Sequence, residues 1–132
     1  MIEYQVEPNL SVEQYLDVLI RSELAERRPV DDHDKLTKMI RNADIVVTAR
    51  SEGRLVGIAR SMTDFAHATY LADLAVDQAF QKQGIGRELI ARTHEVAGKH
   101  TILLLLAAPK AASYYPHVGM EKHDSCWIIP RQ

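Results

Sequence analysis

Apolar residues recur along the chain at helical or strand spacing, and the changes of period divide it into elements. Residues Ile2 to Val6 alternate weakly, as a strand would. Pro8 and Asn9 break that pattern, and Ser11 with Gln14 forms a capping-box signature that predicts a helix start. Val12, Tyr15, Leu16, Leu19 and Ile20 then fall on one helical face, and Leu36, Met39 and Ile40 repeat the spacing in a second, shorter helix. Between them, roughly Glu26 to Asp34, stand Arg27, Arg28, Pro29, Asp31, Asp32 and His33. This stretch reads as a polar loop, not a packed element, and is a candidate for facing a substrate.

Ile45, Val46 and Val47 lead through Ser51, Glu52 and Gly53 into Leu55, Val56, Gly57 and Ile58, which predicts an antiparallel hairpin. Thr69 to Val76 makes a further strand, and Ile85, Leu89, Ile90, Thr93, Val96 and Ala97 supply the buried face of a helix that Gly98 ends. The apolar run from Ile102 through Ala108, closed by Pro109, is far shorter than the roughly 20 residues a membrane-spanning helix needs, and reads as a buried strand. A short helical stretch including Ala111 and Ala112, then a β-like run at Cys126, Trp127, Ile128 and Ile129, complete the order. Strand, two helices, three strands, helix, strand, helix, strand implies a mixed α/β or α+β fold.

Composition narrows the function classes. A length of 132 residues with 46% hydrophobic content suffices for one domain, 1–132, with a real core. Eighteen acidic against sixteen basic residues, with no long like-charge block, favour neither nucleic acid nor a membrane surface and point to a small, specific ligand. The only cysteine, Cys126, has no internal disulfide partner, and Met1, Ile2, Glu3, Tyr4 does not open a signal peptide, so a cytoplasmic location is expected. His33, His67, His94, His100, His117 and His123 are scattered without metal-ligand spacing, and no metal site is expected.

The segment Gln81, Lys82, Gln83, Gly84, Ile85, Gly86 lies between a strand ending at Val76 and an amphipathic helix, a setting suited to holding a phosphate. Two glycines allow a tight turn, and the helix adds the positive end of its dipole. A Walker loop is excluded, because Gly84 is followed by Ile85, Gly86, Arg87 and Glu88 where lysine and a hydroxyl are required. A dinucleotide fingerprint needs a third glycine where this chain has Leu89. A ligand-free strand-to-helix turn is the blander alternative.

Leu74, Ala75 and Val76 followed by Gln81, Gly84 and Gly86, with Ala111, Ser113, Tyr114, Tyr115, Pro116, Gly119 and Met120 downstream, resemble the two motifs of the GNAT superfamily of N-acetyltransferases. The resemblance extends over nearly the whole chain and implies a central, mostly antiparallel sheet flanked by helices. It implies acetyl-CoA as co-substrate, with the backbone from Gln83 to Arg87 on the pyrophosphate, the strand Leu74, Ala75, Val76 along the pantetheine arm, and Lys82 and Arg87 adding charge. Two positions depart from the family pattern: Ala108 stands where many relatives carry a pantetheine-binding asparagine, and Met120 replaces an aromatic residue.

In that family an amine attacks the thioester carbonyl directly. The resemblance places Tyr115 as the general acid beside the departing thiolate, with Tyr114 in the core. The base is less defined. Asp73, a carboxylate on the cofactor strand, is expected to have a raised pKa suited to accepting a proton, against the plain alternative of a hydrogen-bonded structural carboxylate, with Tyr70 and Glu52 as weaker candidates. The acceptor is a small-molecule amine or a protein amine, and a homodimer is an expectation of the resemblance alone. The rival reading is a non-catalytic acyl-CoA-binding module acting on a protein partner.

Overall fold

The computed structural model describes residues 1–109 and 112–132. Strand β1 (Ile2–Val6) leads to helix α1 (Val12–Ser22), a 3-10 turn (Leu24–Arg27) and helix α2 (His33–Arg41). Strands β2 (Ile45–Ser51), β3 (Arg54–Thr63) and β4 (Ala68–Val76) follow, then a 3-10 turn (Gln78–Phe80), helix α3 (Ile85–Ala97) and strand β5 (Ile102–Leu104). One sheet runs β1-β2-β3-β4-β5, antiparallel except for the parallel β4–β5 pair. The mixed fold and the mostly antiparallel sheet flanked by helices are therefore as the sequence predicts.

The local signals act as written. Ser11 accepts a hydrogen bond from the Gln14 N–H at 3.2 Å and starts α1, and the Asp32 carboxylate does the same for Lys35 at α2. Alternate residues of β2 enter opposite cores: Val46 packs with Tyr15, Leu19, Leu36 and Ile40 of α1 and α2, while Ile45 and Val47 pack with Ile85 and Leu89 of α3. Both faces of the central strands are thus covered, so β2 and β3 are almost continuously buried instead of alternating between buried and exposed residues.

Strand β4 carries a bulge. Arg60 pairs with Asp73 and Ser61 with Leu71, so Ala72 is an extra residue between them. Leu71 consequently packs on the α3 side, whereas Asp73 and Ala75 turn toward α1.

The chain's end differs from the expectation. Strand β5 has three residues, and Ile102, Leu104 and Leu106 are exposed while Leu103 and Leu105 pack toward α3. The expected buried strand is half-buried because it forms the sheet edge and turns one face to the core under α3. The β-like run Cys126 to Ile129 forms no strand and is exposed, Trp127 at 91%. Four residues of good β propensity do not offset their ordering entropy without a ladder to join. Tyr115–Val118 is a 3-10 turn, and Ala111 of the expected short helix lies outside the described residues.

Candidate active site

The glycine segment sits where β4 ends. Asp77, buried at the strand's end, accepts from the Ala79 N–H and pairs with Arg21 of α1, which fixes the start of the turn. Lys82 and Gly84 take left-handed φ values of 65° and 82° on either side of Gln83. Gly84 is the residue before the first turn of α3 and supplies no side-chain cap. The first helical bond runs from the Glu88 N–H to the Gly84 carbonyl at 3.1 Å, so the amides of Ile85, Gly86 and Arg87 lie ahead of the helix's own ladder. Partial positive charge collects at those N–H groups.

The two glycines serve different purposes. At Gly84 the left-handed backbone favours a residue without Cβ, and the space around it is open. At Gly86 the constraint is contact: a Cβ there would stand 2.5 Å from the Tyr114 hydroxyl. Tyr114, expected in the core, is half-buried against the glycine turn. Its ring meets Tyr115 edge-on, with centroids 5.3 Å apart and planes at 77°. Burial raises the pKa of Tyr115, helped by Tyr114, so the phenol stays protonated well past neutrality. Gly86, Tyr114 and Tyr115 form one packed chain from the turn to the expected general acid.

Strand β4 offers an open edge leading into that turn. Strand β5 pairs only with Ala68, Thr69 and Tyr70. The Asp77 N–H donates to the Val56 carbonyl of β3 at 2.8 Å, so by the alternation of a strand Leu74 and Val76 turn their N–H and C=O groups to the side away from β3. The Gln81 side chain donates to the Val76 carbonyl at 3.1 Å. Leu74, Ala75, Val76 and the turn from Gln81 to Arg87 therefore form one continuous surface. Two shallow clefts, of about 120 and 410 Å³, lie elsewhere, at the β1–α3 groove and around the start of β4.

Asp73 is placed differently from the expectation. Its side chain is buried, accepting from Tyr15 and Arg60 on one oxygen and from Arg28 at 2.6 Å on the other. Burial is the largest influence and pushes the pKa up, but the hydrogen bond and charge of Arg60, the charge of Arg28 and the Tyr15 hydroxyl outweigh it. The carboxyl is held below the ordinary Asp range, where a raised value was expected. An anion paired with two guanidiniums is a poor proton acceptor, and the geometry is that of a structural carboxylate. Of the weaker candidates, Tyr70 lies on the β5-paired part of β4 and Glu52 in the exposed β2–β3 turn.

Arg28 was not singled out from the sequence. It lies in the segment that reads as a loop, yet its side chain reaches across to β4, donating to Asp73 and, at 2.8 Å, to the Ala72 carbonyl. The contact spans 44 residues of sequence, and no periodic signal marks it. Among the described residues, no group of three or more His, Cys, Asp or Glu side chains is placed to hold a metal ion. No helix of the described residues is long and apolar enough to cross a membrane.

The acetyltransferase (GNAT) domain family matches residues 42–121, and the chain belongs to that family of acetyltransferases. It is 31% identical over 108 residues to the histone acetyltransferase TAP1 of Glycine max, a match covering 72% of this chain and 46% of that protein. The chain thus spans about half the length of the curated relatives it matches. Its fold is similar to that of a probable acetyltransferase of Staphylococcus aureus, SA2161, with a TM-score of 0.81 over the full length of both chains at 19% identity. It is also similar to aminoglycoside N-acetyltransferase AAC(6')-Iy, solved in complex with CoA, with a TM-score of 0.74 and 16% identity over 100% of this chain and 95% of that one.

Proposed function

We propose that residues 1–132 form a single domain that transfers an acetyl group from acetyl-CoA to an amine by direct attack on the thioester. The observation that carries this reading is the open edge of β4 at Leu74 and Val76 running straight into the uncapped start of α3. An extended amide-bearing arm suits the strand edge, and a pyrophosphate suits the amides of Ile85, Gly86 and Arg87. These residues fit coenzyme A, which supplies an activated acyl group when bound. Gln83 and Gly84 complete the turn, and exposed Lys82 and Arg87 add positive charge from solvent.

Tyr115 is assigned as general acid: its hydroxyl proton passes to the departing thiolate as the C–S bond breaks, and the proton that the attacking nitrogen loses as the amide forms restores the phenol through water. The ammonium proton of the acceptor leaves to water, since Asp73 is committed to its arginines. The acceptor is a small-molecule amine or a protein amine, classes represented by the aminoglycoside and histone acetyltransferases among the similar proteins. A cytoplasmic location accords with the lone cysteine.

Calorimetry with acetyl-CoA, followed by free-thiol release across an amine panel, tests the reading. Absence of acetyl-CoA binding would sink it. The commitment of Asp73 favours a second reading, a non-catalytic acyl-CoA-binding module, which predicts tight binding with no turnover on any amine.

A further inference from the structure

Three carbonyls on the outward side of β4 meet different fates. That of Val76 accepts from Gln81 at 3.1 Å, that of Ala72 accepts from Arg28 at 2.8 Å, and that of Leu74 lies between them beyond the reach of the short β5 pairing. An extended chain pairing with this edge therefore finds room around Leu74 and meets the Arg28 guanidinium at the bulge.

That guanidinium is fixed. Nε bonds Asp73 at 2.6 Å, Nη2 bonds the Ala72 carbonyl at 2.8 Å, and Nη1 bonds the Arg27 carbonyl at 2.8 Å. Asp73 is itself held by Tyr15 of α1 and Arg60 of β3, so the fork is anchored to three elements besides its own segment. Arginine does not lose its charge at any working pH, and five donors in a plane let one side chain satisfy a carboxylate and a carbonyl together. About one fifth of the side chain remains exposed.

We propose that Arg28 is a positioning residue that sets how far along β4 an acyl thioester travels, and thereby selects a short acyl group. The inference rests on the coenzyme A reading. An acyl chain longer than acetyl, laid against Leu74 with its thioester toward the bulge, runs into a side chain held by three hydrogen bonds. Fixing the Ala72 carbonyl also fixes the plane of the Ala72–Asp73 peptide, the backbone beside which the carbonyl reacts.

The test compares wild type, Arg28→Ala and Arg28→Lys for affinity toward CoA, acetyl-CoA and butyryl-CoA by calorimetry, with melting temperatures as a folding control. No acceptor is needed. Wild type should prefer acetyl-CoA over butyryl-CoA by roughly tenfold or more, and Arg28→Ala should bring the two within about twofold while CoA itself binds as before. Arg28→Lys, which keeps the charge but loses the fork, should fall between, and it carries the test should the alanine variant not fold. A merely structural role would lower all three affinities together. An acetyl-to-butyryl ratio equal in wild type and variants overturns the proposal and leaves the coenzyme A reading standing. Wild type that binds none of the three ligands overturns both.

Discussion

Leu71 and Asp73 stand two residues apart on β4 yet face opposite sides of the sheet, because the extra residue Ala72 shifts the register between them. In a regular strand both would point the same way. The bulge sends Leu71 into the apolar core under α3 and delivers Asp73 to Tyr15, Arg60 and Arg28. It also makes the Asp73 carboxylate part of the scaffold behind the open edge of β4.

Replacing Asp73 with Asn should therefore cost stability before activity. Two arginines lose their counter-charge, and breaking a buried pair costs about 3–5 kcal/mol, measurable by urea denaturation. The pH dependence has a definite sign. The folded pKa lies below the ordinary 3.8, so the carboxylate's contribution is complete above that value and disappears as pH falls through the lower folded one. Wild type should lose stability on acidification below pH ~4, and Asp73→Asn should lose less over that window. Equal acid sensitivity of the two proteins would contradict the assignment.

Tyr115→Phe should reduce thiol release by roughly 100- to 10,000-fold while acetyl-CoA affinity changes little, since the ring and its contact with Tyr114 remain. The raised pKa adds a second expectation. Any alkaline loss of activity due to this phenol should lie above its ordinary 10.0. Calorimetry and a pH–rate profile check both, and an unchanged rate removes Tyr115 from the mechanism.

The two glycines of the turn should fail differently. Gly84→Ala meets open space but a left-handed backbone, so it should cost about 1–2 kcal/mol in thermal unfolding with a modest effect on acetyl-CoA affinity. Gly86→Val drives a side chain into the Tyr114 hydroxyl at the start of α3, and should abolish measurable acetyl-CoA binding. Undiminished affinity in Gly86→Val would show that the cofactor does not use this turn.

Ser11→Ala removes the oxygen that accepts from the Gln14 amide at 3.2 Å, and should destabilise the fold by about 1 kcal/mol in urea denaturation without altering cofactor affinity. Because α1 carries Tyr15 and Arg21, a change in affinity as well would mean that the start of this helix is coupled to the site.

What the sequence by itself determined is what is local. The cap at Ser11, the hairpin across Gly53, the helix closed by Gly98 and the turn at Gly84 each depend on residues within a few positions of one another. Periodicity and turn chemistry report such features directly. The run at Cys126 to Ile129 has the propensity but no partner strand, so local preference misled there. Tertiary structure alone decided that Arg28 lies on Ala72 and that Tyr114 covers Gly86. It also decided that Asp73 is ion-paired with Arg28 and Arg60. Those outcomes turn on a one-residue register shift and on side chains that meet only after the chain has closed over tens of residues. Hydrophobic pattern along the chain names no partner for a polar side chain tens of residues away.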